Sequence, residues 1–231
     1  MHIHKTWDLP LRLFHWLLVA SVSAAFITAQ IGGNLMVWHG RLGVLIAGLL
    51  GFRLVWGLVG STHARFASFV RGPAAIKAYL AGRWPETGGH NPLGALSVLA
   101  LIGILAFQTG TGLLANDDIS FNGPLFDLVS KETSDTLTKV HHLGEKLVML
   151  LVGLHLAAIV FYGRVKGHKL VGPMITGRKE SALPLAAPTG GGLLALVLAV
   201  GCGLAVAYGA SGAWMPAPPP PPAAAPAAPA W

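Results

Sequence analysis

The sequence predicts an all-α integral membrane protein, and three observations predict it. Only 11% of the 231 residues are charged, less than half the share of an ordinary soluble domain. Five apolar stretches are each long enough to cross a hydrocarbon core about 30 Å thick. Lys and Arg crowd into the connections on one side of those stretches. A soluble globular enzyme is excluded on charge, and the 53% hydrophobic share excludes a disordered chain. A net charge of +7 suits either nucleic acid or an anionic membrane. Its placement beside the apolar stretches assigns it to membrane lipid, and no nucleic-acid partner is expected.

The first stretch covers residues 13–31. Asp8 and Pro10 mark a helix start with proline in the first turn, and the run is too long for the apolar part of a cleaved signal peptide. The second covers 35–59, the third 92–115, the fourth 140–162 and the fifth 190–208. Between the third and fourth lies a polar loop with Asp117, Asp118, Asp127, Glu132 and Asp135, a turn at Asn122-Gly123-Pro124, and a short helix expected over 125–137. No strand-like alternation is expected anywhere. The tail 215–231 contains only Pro, Ala, Met and Trp, eight of them proline, which is too poor in side chains to build a core. The expected organisation is a four-helix bundle over 1–180, a fifth membrane helix over 181–209 and a proline- and alanine-rich tail over 210–231. Gly201-Cys202-Gly203 is the one small-residue patch of the fifth helix, expected to receive a neighbouring helix.

Orientation follows from the charges. Lys5, Arg12, Arg65, Arg71, Lys77, Arg83, Arg164, Lys166, Lys169, Arg178 and Lys179 fall on one side, 11 in all, against Lys131 and Lys139 on the other. The N-terminus is therefore expected in the cytoplasm and the C-terminus, after five crossings, outside. Trp7, Trp16, Trp38 and Trp56 are expected in the interfacial belts.

Ten histidines in so apolar a chain are the unusual number. His2, His4, His63, His90 and His168 lie in polar connections and read as solvated. His15, His39, His141, His142 and His155 lie in or at the ends of apolar helices, where an ionisable side chain is costly. His141 and His155 are 14 residues apart, nearly four turns, so they share a helix side with about 21 Å between them. His142 falls about 140° away and is set aside. Depth then pairs His15 with His155 and His39 with His141. Two neutral imidazoles facing each other across a bundle can grip a haem iron from both sides. With both axial positions filled, electron transfer is what remains. Zinc would need three or four converging ligands, and a proton relay would need carboxylates, of which these helices hold only Glu145, near a helix end. The only cysteine is Cys202, so no Cys-x-x-Cys-His tethers the haem. Arg53, 14 residues after His39, and Arg41, beside His39, are candidates to hold haem propionates. Gly43, Gly110, Gly112, Gly144 and Gly153 could leave room for a flat macrocycle.

These residues also carry a resemblance. Trp7-Asp8-Leu9-Pro10-Leu11-Arg12-Leu13-Phe14-His15-Trp16, His39-Gly40-Arg41-Leu42-Gly43 with Arg53, Thr109-Gly110-Thr111-Gly112-Leu113, and His141 with His155 resemble the prokaryotic dihaem cytochrome b561 family. That family is related to the b-type cytochrome subunits of membrane nickel–iron hydrogenases. The resemblance covers about residues 5–180 and implies a four-helix bundle with two bis-histidine haems b that exchange electrons with quinone. The expected role is to link the quinone pool to a redox partner on the periplasmic face of a bacterial inner membrane, either a c-type cytochrome or a dehydrogenase subunit. Two alternatives stand beside it. One is a stand-alone quinone-reducing oxidase of a small periplasmic reductant such as superoxide, and the other is a non-redox membrane subunit.

Overall fold

The computed structural model describes residues 2–85, 88–181, 184 and 186–216. The expected proline-rich tail lies outside the described residues from 217 onward. The first helix, α1 (Leu9–Ile31), begins where Asp8, in an extended conformation, accepts the Leu11 N–H at 2.7 Å. Pro10 sits in the first turn, where its missing N–H costs nothing. Gly32 at φ 69° ends the helix, and α2 (Met36–Val59) runs back. Two short helices follow, α3 (Phe66–Phe69) and α4 (Pro73–Leu80). Asn91 caps α5 (Pro92–Leu113) by accepting the Gly94 N–H at 2.7 Å. Then come α6 (Lys131–Arg164), the short α7 (Val171–Thr176) and α8 (Leu193–Ala210). Among the described residues, α1, α2, α5, α6 and α8 are the five helices long and apolar enough to cross a membrane.

Three expectations change here. Of the short helix placed over 125–137, Phe126–Leu128 form a separate 3-10 turn, and residues 131–137 are the first part of α6. Ser130 caps it through the Thr133 N–H, and no Gly or Pro interrupts the chain before Gly144. At 34 residues α6 is about 50 Å long and extends well beyond a bilayer core. A small sheet also exists. β1 (His2–Lys5) pairs antiparallel with β2 (Arg178–Ser181), in register from His2↔Ser181 to Lys5↔Arg178. It forms because the bundle brings two distant chain segments to one face, which four-residue patterns do not announce. Trp56 and Trp7 are not belt residues either. Trp56 is 1% exposed and its indole N–H donates to Asp8 at 3.1 Å, while Trp7 packs on the rings of His63 and His90. Trp16 and Trp38 do face outward.

α2 is the centre of the bundle and packs against α1, α5 and α8. Its closest partner is α8. A Cβ on Gly48 would stand 3.0 Å from the Gly203 carbonyl, and one on Gly203 would stand 2.9 Å from the Gly48 carbonyl. The small-residue patch expected to receive a separate helix is thus occupied in part by α2. Leu193, Leu194, Val197 and Leu204 of α8 stay exposed, as lipid-facing side chains do. α6 packs along α5 but barely touches α1 or α2. The α1–α2 pair and the α5–α6 pair are therefore two walls, joined by the α2–α5 contact, and the slot between them is filled at mid-depth by Ala25, Ile46, Leu50, Leu105 and Val148.

Candidate cofactor site

The four paired histidines come from both walls: His15 on α1, His39 on α2, and His141 and His155 on α6. The His39 and His141 rings approach edge to face, with centroids 6.1 Å apart and planes at 85°. Metal–imidazole bonds of about 2 Å on each side, plus roughly an ångström from nitrogen to ring centre, would place two axial rings about 6 Å apart. The observed spacing fits.

The protonation pattern fits too. The His39 Nδ1–H donates to the Ala25 carbonyl at 2.9 Å. The His141 Nδ1–H donates to the Gln108 carbonyl at 3.0 Å, with the Thr111 hydroxyl 3.2 Å away. A carbonyl can only accept, so each Nδ1 carries the proton and each Nε2 keeps its lone pair, the form a metal requires. The Gln108 amide N–H donates to the His141 Nε2 at 3.2 Å, so Gln108 has to give way before that nitrogen can take a metal, and the Gln108 amide oxygen is buried without a partner. Gly112 makes room for this arrangement, because a Cβ there would stand 2.6 Å from the His141 ring. A Cβ on Gly43, one turn beyond His39, would meet nothing within 4 Å, which leaves open space beside the pair.

The second pair is looser. His15 Nδ1 is buried without a partner. The His155 Nδ1 lies 3.5 Å from the Ser97 hydroxyl. The two rings are within electrostatic reach of each other. His142 points away from the slot; its side chain is 71% exposed and lies 4.0 Å from Glu145.

The two candidate arginines differ. Arg53 is 2% exposed, with its guanidinium 4.6 Å over the Phe66 ring. Arg41 is exposed and stacks over Trp38 at 4.9 Å. Two residues on from His39, it projects about 200° around α2, onto a cavity of about 440 Å³ lined with Ser120, Phe121 and Asn122. The structure therefore turns Arg41 away from the slot.

Sequence reasoning missed three participants. Gln108 is the only amide inside the third apolar run, and that isolation was the available signal. Asp8 does more than cap α1. Its second oxygen accepts from Trp56 Nε1 and from the Ser61 hydroxyl. His90, read as solvated, is wedged between Trp7 and Phe69, each ring 4.6 Å away. Burial, then the charges of Arg53 and His63, bring it down to about 3, so the ring is neutral.

Spanning helices that bring imidazoles together in pairs at two depths, one pair with both tautomers fixed by backbone carbonyls, have the layout of one class, the helix-bundle scaffolds for an iron macrocycle. The comparisons make the class specific. The family model for prokaryotic cytochrome b561 matches residues 6–177, and the chain belongs to that family. It is thus a multi-pass membrane cytochrome of b type, built for electron transfer by haem b. A protein named "Probable Ni/Fe-hydrogenase B-type cytochrome subunit" from Azotobacter vinelandii is 28% identical over 214 residues, covering 74% of this chain and 86% of its own length. Its namesake in Azotobacter chroococcum mcd 1 is 27% identical with the same coverage. That of Rhizobium leguminosarum bv. viciae is 22% identical, covering 75% of this chain and 87% of its own. No solved structure matches the chain.

Proposed function

We propose that the chain carries electrons across the membrane through two bis-histidine haems b, one held by His15 and His155 and the other by His39 and His141. The observation that carries this reading is the His39–His141 pair, 6.1 Å apart with both Nδ1 atoms committed to backbone carbonyls. Haem supplies reversible one-electron exchange when both axial positions are filled. The protein's own part is to hold each imidazole in one tautomer and one orientation, to keep the slot free of side chains at Gly43 and Gly112, and to surround it with apolar helix.

The two pairs lie about 21 Å apart along α6, so together they span most of a bilayer core. The 11-to-2 distribution of Lys and Arg supports a cytoplasmic N-terminus in a bacterial inner membrane, with the 116–130 loop on the periplasmic side. In this reading residues 1–180 form the dihaem unit, and quinone exchanges electrons with it. The redox partner on the periplasmic face is a c-type cytochrome or a dehydrogenase subunit. The names of the relatives, subunits of a nickel–iron hydrogenase, support a partner subunit over a stand-alone oxidase.

A reduced-minus-oxidised spectrum with a haem count per chain tests the proposal. Two low-spin haems b, both extracted by acid acetone because no cysteine tethers them, are expected. One haem, or none, overturns it.

A further inference from the structure

The inference rests on the proposed function and concerns Arg53. This arginine is among the largest fully buried side chains. One of its terminal nitrogens, Nη1, is buried without a partner, and no ion pair engages it among the described residues. Asp8 is the carboxylate that its charge feels, but both Asp8 oxygens are already committed. One accepts the Leu11 N–H, and the other accepts from Trp56 and Ser61. A buried cation whose one nearby carboxylate among the described residues is spoken for calls for a second anion.

Depth says where that anion comes from. Arg53 lies six residues before the end of α2, and His15 lies six residues after the start of α1. The helices are antiparallel neighbours, so both residues sit about 9 Å inside the same face. Arg53 is thus level with the His15 imidazole, whose Nδ1 is also unpartnered. His90 lies within electrostatic reach of Arg53, and its Nδ1 is enclosed and unpartnered as well.

The pattern of unpartnered buried atoms points the same way. Among the described residues there are six. Gln108 Oε1 and His15 Nδ1 lie at the two histidine pairs. The other four belong to Thr6, Arg53, Trp84 and His90, and Thr6 is tied to this region through the His63 bond to its carbonyl. Arginine and indole nitrogens can only donate. Among the described residues, what Arg53 Nη1 lacks is an acceptor, and for a buried guanidinium an anionic one.

We propose that Arg53, with His90 beside it, forms a carboxylate nest that takes the propionates of the haem held by His15 and His155. The guanidinium supplies the charge and the planar donor fork that suits a carboxylate, and the neutral imidazole supplies one further N–H.

Purified holoprotein carrying haem labelled with ¹³C at the propionate carboxyls tests this by redox-difference infrared spectroscopy, together with the midpoint potentials of both haems. Removing a cation favours the more positive, oxidised haem. Arg53→Gln is therefore expected to shift the redox equilibrium of one haem about tenfold toward oxidised, roughly 59 mV for one electron, and to move its labelled carboxylate bands. The other haem stays put, and Arg53→Lys restores most of the potential. If Arg53→Gln does not accumulate, His90→Gln carries the test, because it removes one donor and is expected to move the same bands. Unchanged potentials and bands overturn the inference. So does a variant whose only change is weaker binding of inorganic phosphate, which would make the nest a site for a soluble anion. Fewer than two haems in the unmodified protein overturns the proposed function instead. Two haems whose propionate bands ignore both residues overturn this inference alone.

Discussion

An imidazole that ligates a metal must keep one nitrogen bare, and the backbone decides which one. At His39 and His141 the Ala25 and Gln108 carbonyls take the Nδ1 protons. His39→Ala or His141→Ala is accordingly expected to empty one haem site, and His15→Ala or His155→Ala the other. His142→Ala is expected to leave both filled. A haem count on each variant checks this, and loss of a haem from His142→Ala would show that the rotation argument fails. Gly112→Ala is subtler. The new methyl would stand 2.6 Å from the His141 ring, which must tilt off its rotamer at a cost of about 0.5–1.5 kcal/mol. The expected outcome is an altered spectrum for the His39–His141 haem alone. The histidines were legible in the sequence because charge-capable residues are rare in apolar helices and their spacing sorts by face. Gln108 showed only as an isolated amide, and its contact with His141, the two carbonyls and the crowding at Gly112 were not legible, since each depends on how α5 lies against α6 or α1 against α2.

At the scale of elements, spans were readable and their ends were not. Hydropathy located all five long helices, but it could not see that α6 continues through polar residues to Lys131. That extension depends on the Ser130 cap and on the contact of Ser134 with α5, where its hydroxyl donates to the Leu114 carbonyl at 2.7 Å. The buried hub at Asp8 was invisible for the same reason. Its carboxylate joins α1 to the end of α2. Asp8→Ala removes a helix cap, worth about 1 kcal/mol, and strands the buried Trp56 N–H at about 1–3 kcal/mol more. A clearly lowered melting temperature by circular dichroism is expected. On the opposite face, one Asp117 oxygen accepts the N–H groups of Ile119, Ser120 and Phe121 at 2.8–2.9 Å. Those bonds, led by Phe121, hold its pKa below the ordinary 3.8. A carboxyl depressed on folding contributes order that is present at neutral pH and lost as pH falls through the lowered value. The turn is therefore expected to persist at pH 4 and to open only below the usual aspartate range. Hydrogen exchange at Ile119–Phe121 follows it, and opening at pH 5 would contradict the assignment.

Over the whole molecule, the arrangement of walls decides what each part can be asked to do. Orientation comes first. With the N-terminal face in the cytoplasm, Ser120→Cys is expected to react with an impermeant maleimide on intact cells, and Arg178→Cys only once cells are broken. The reverse pattern would invert the proposed direction of the two haem sites. The fifth helix is the harder case, because it was read from the sequence as a surface for a neighbour. Gly48 is nine residues from His39, half a rotation of α2. α8, packed on Gly48, therefore sits behind the wall, and the slot lies in front of it. No histidine lies beyond His168. Truncation after Glu180 removes α8 and the β2 residue Ser181, and it uncovers Gly48 and Gly51 to lipid. It leaves the His39–Ala25 and His141–Gln108 bonds untouched. The truncated chain is expected to keep both haems, with unshifted spectra and a lower melting temperature, while a co-purifying partner subunit is lost. Loss of a haem would mean that α8 braces α2 against the slot. Retention of every co-purifying subunit would mean that α8 and the tail beyond it serve this chain alone.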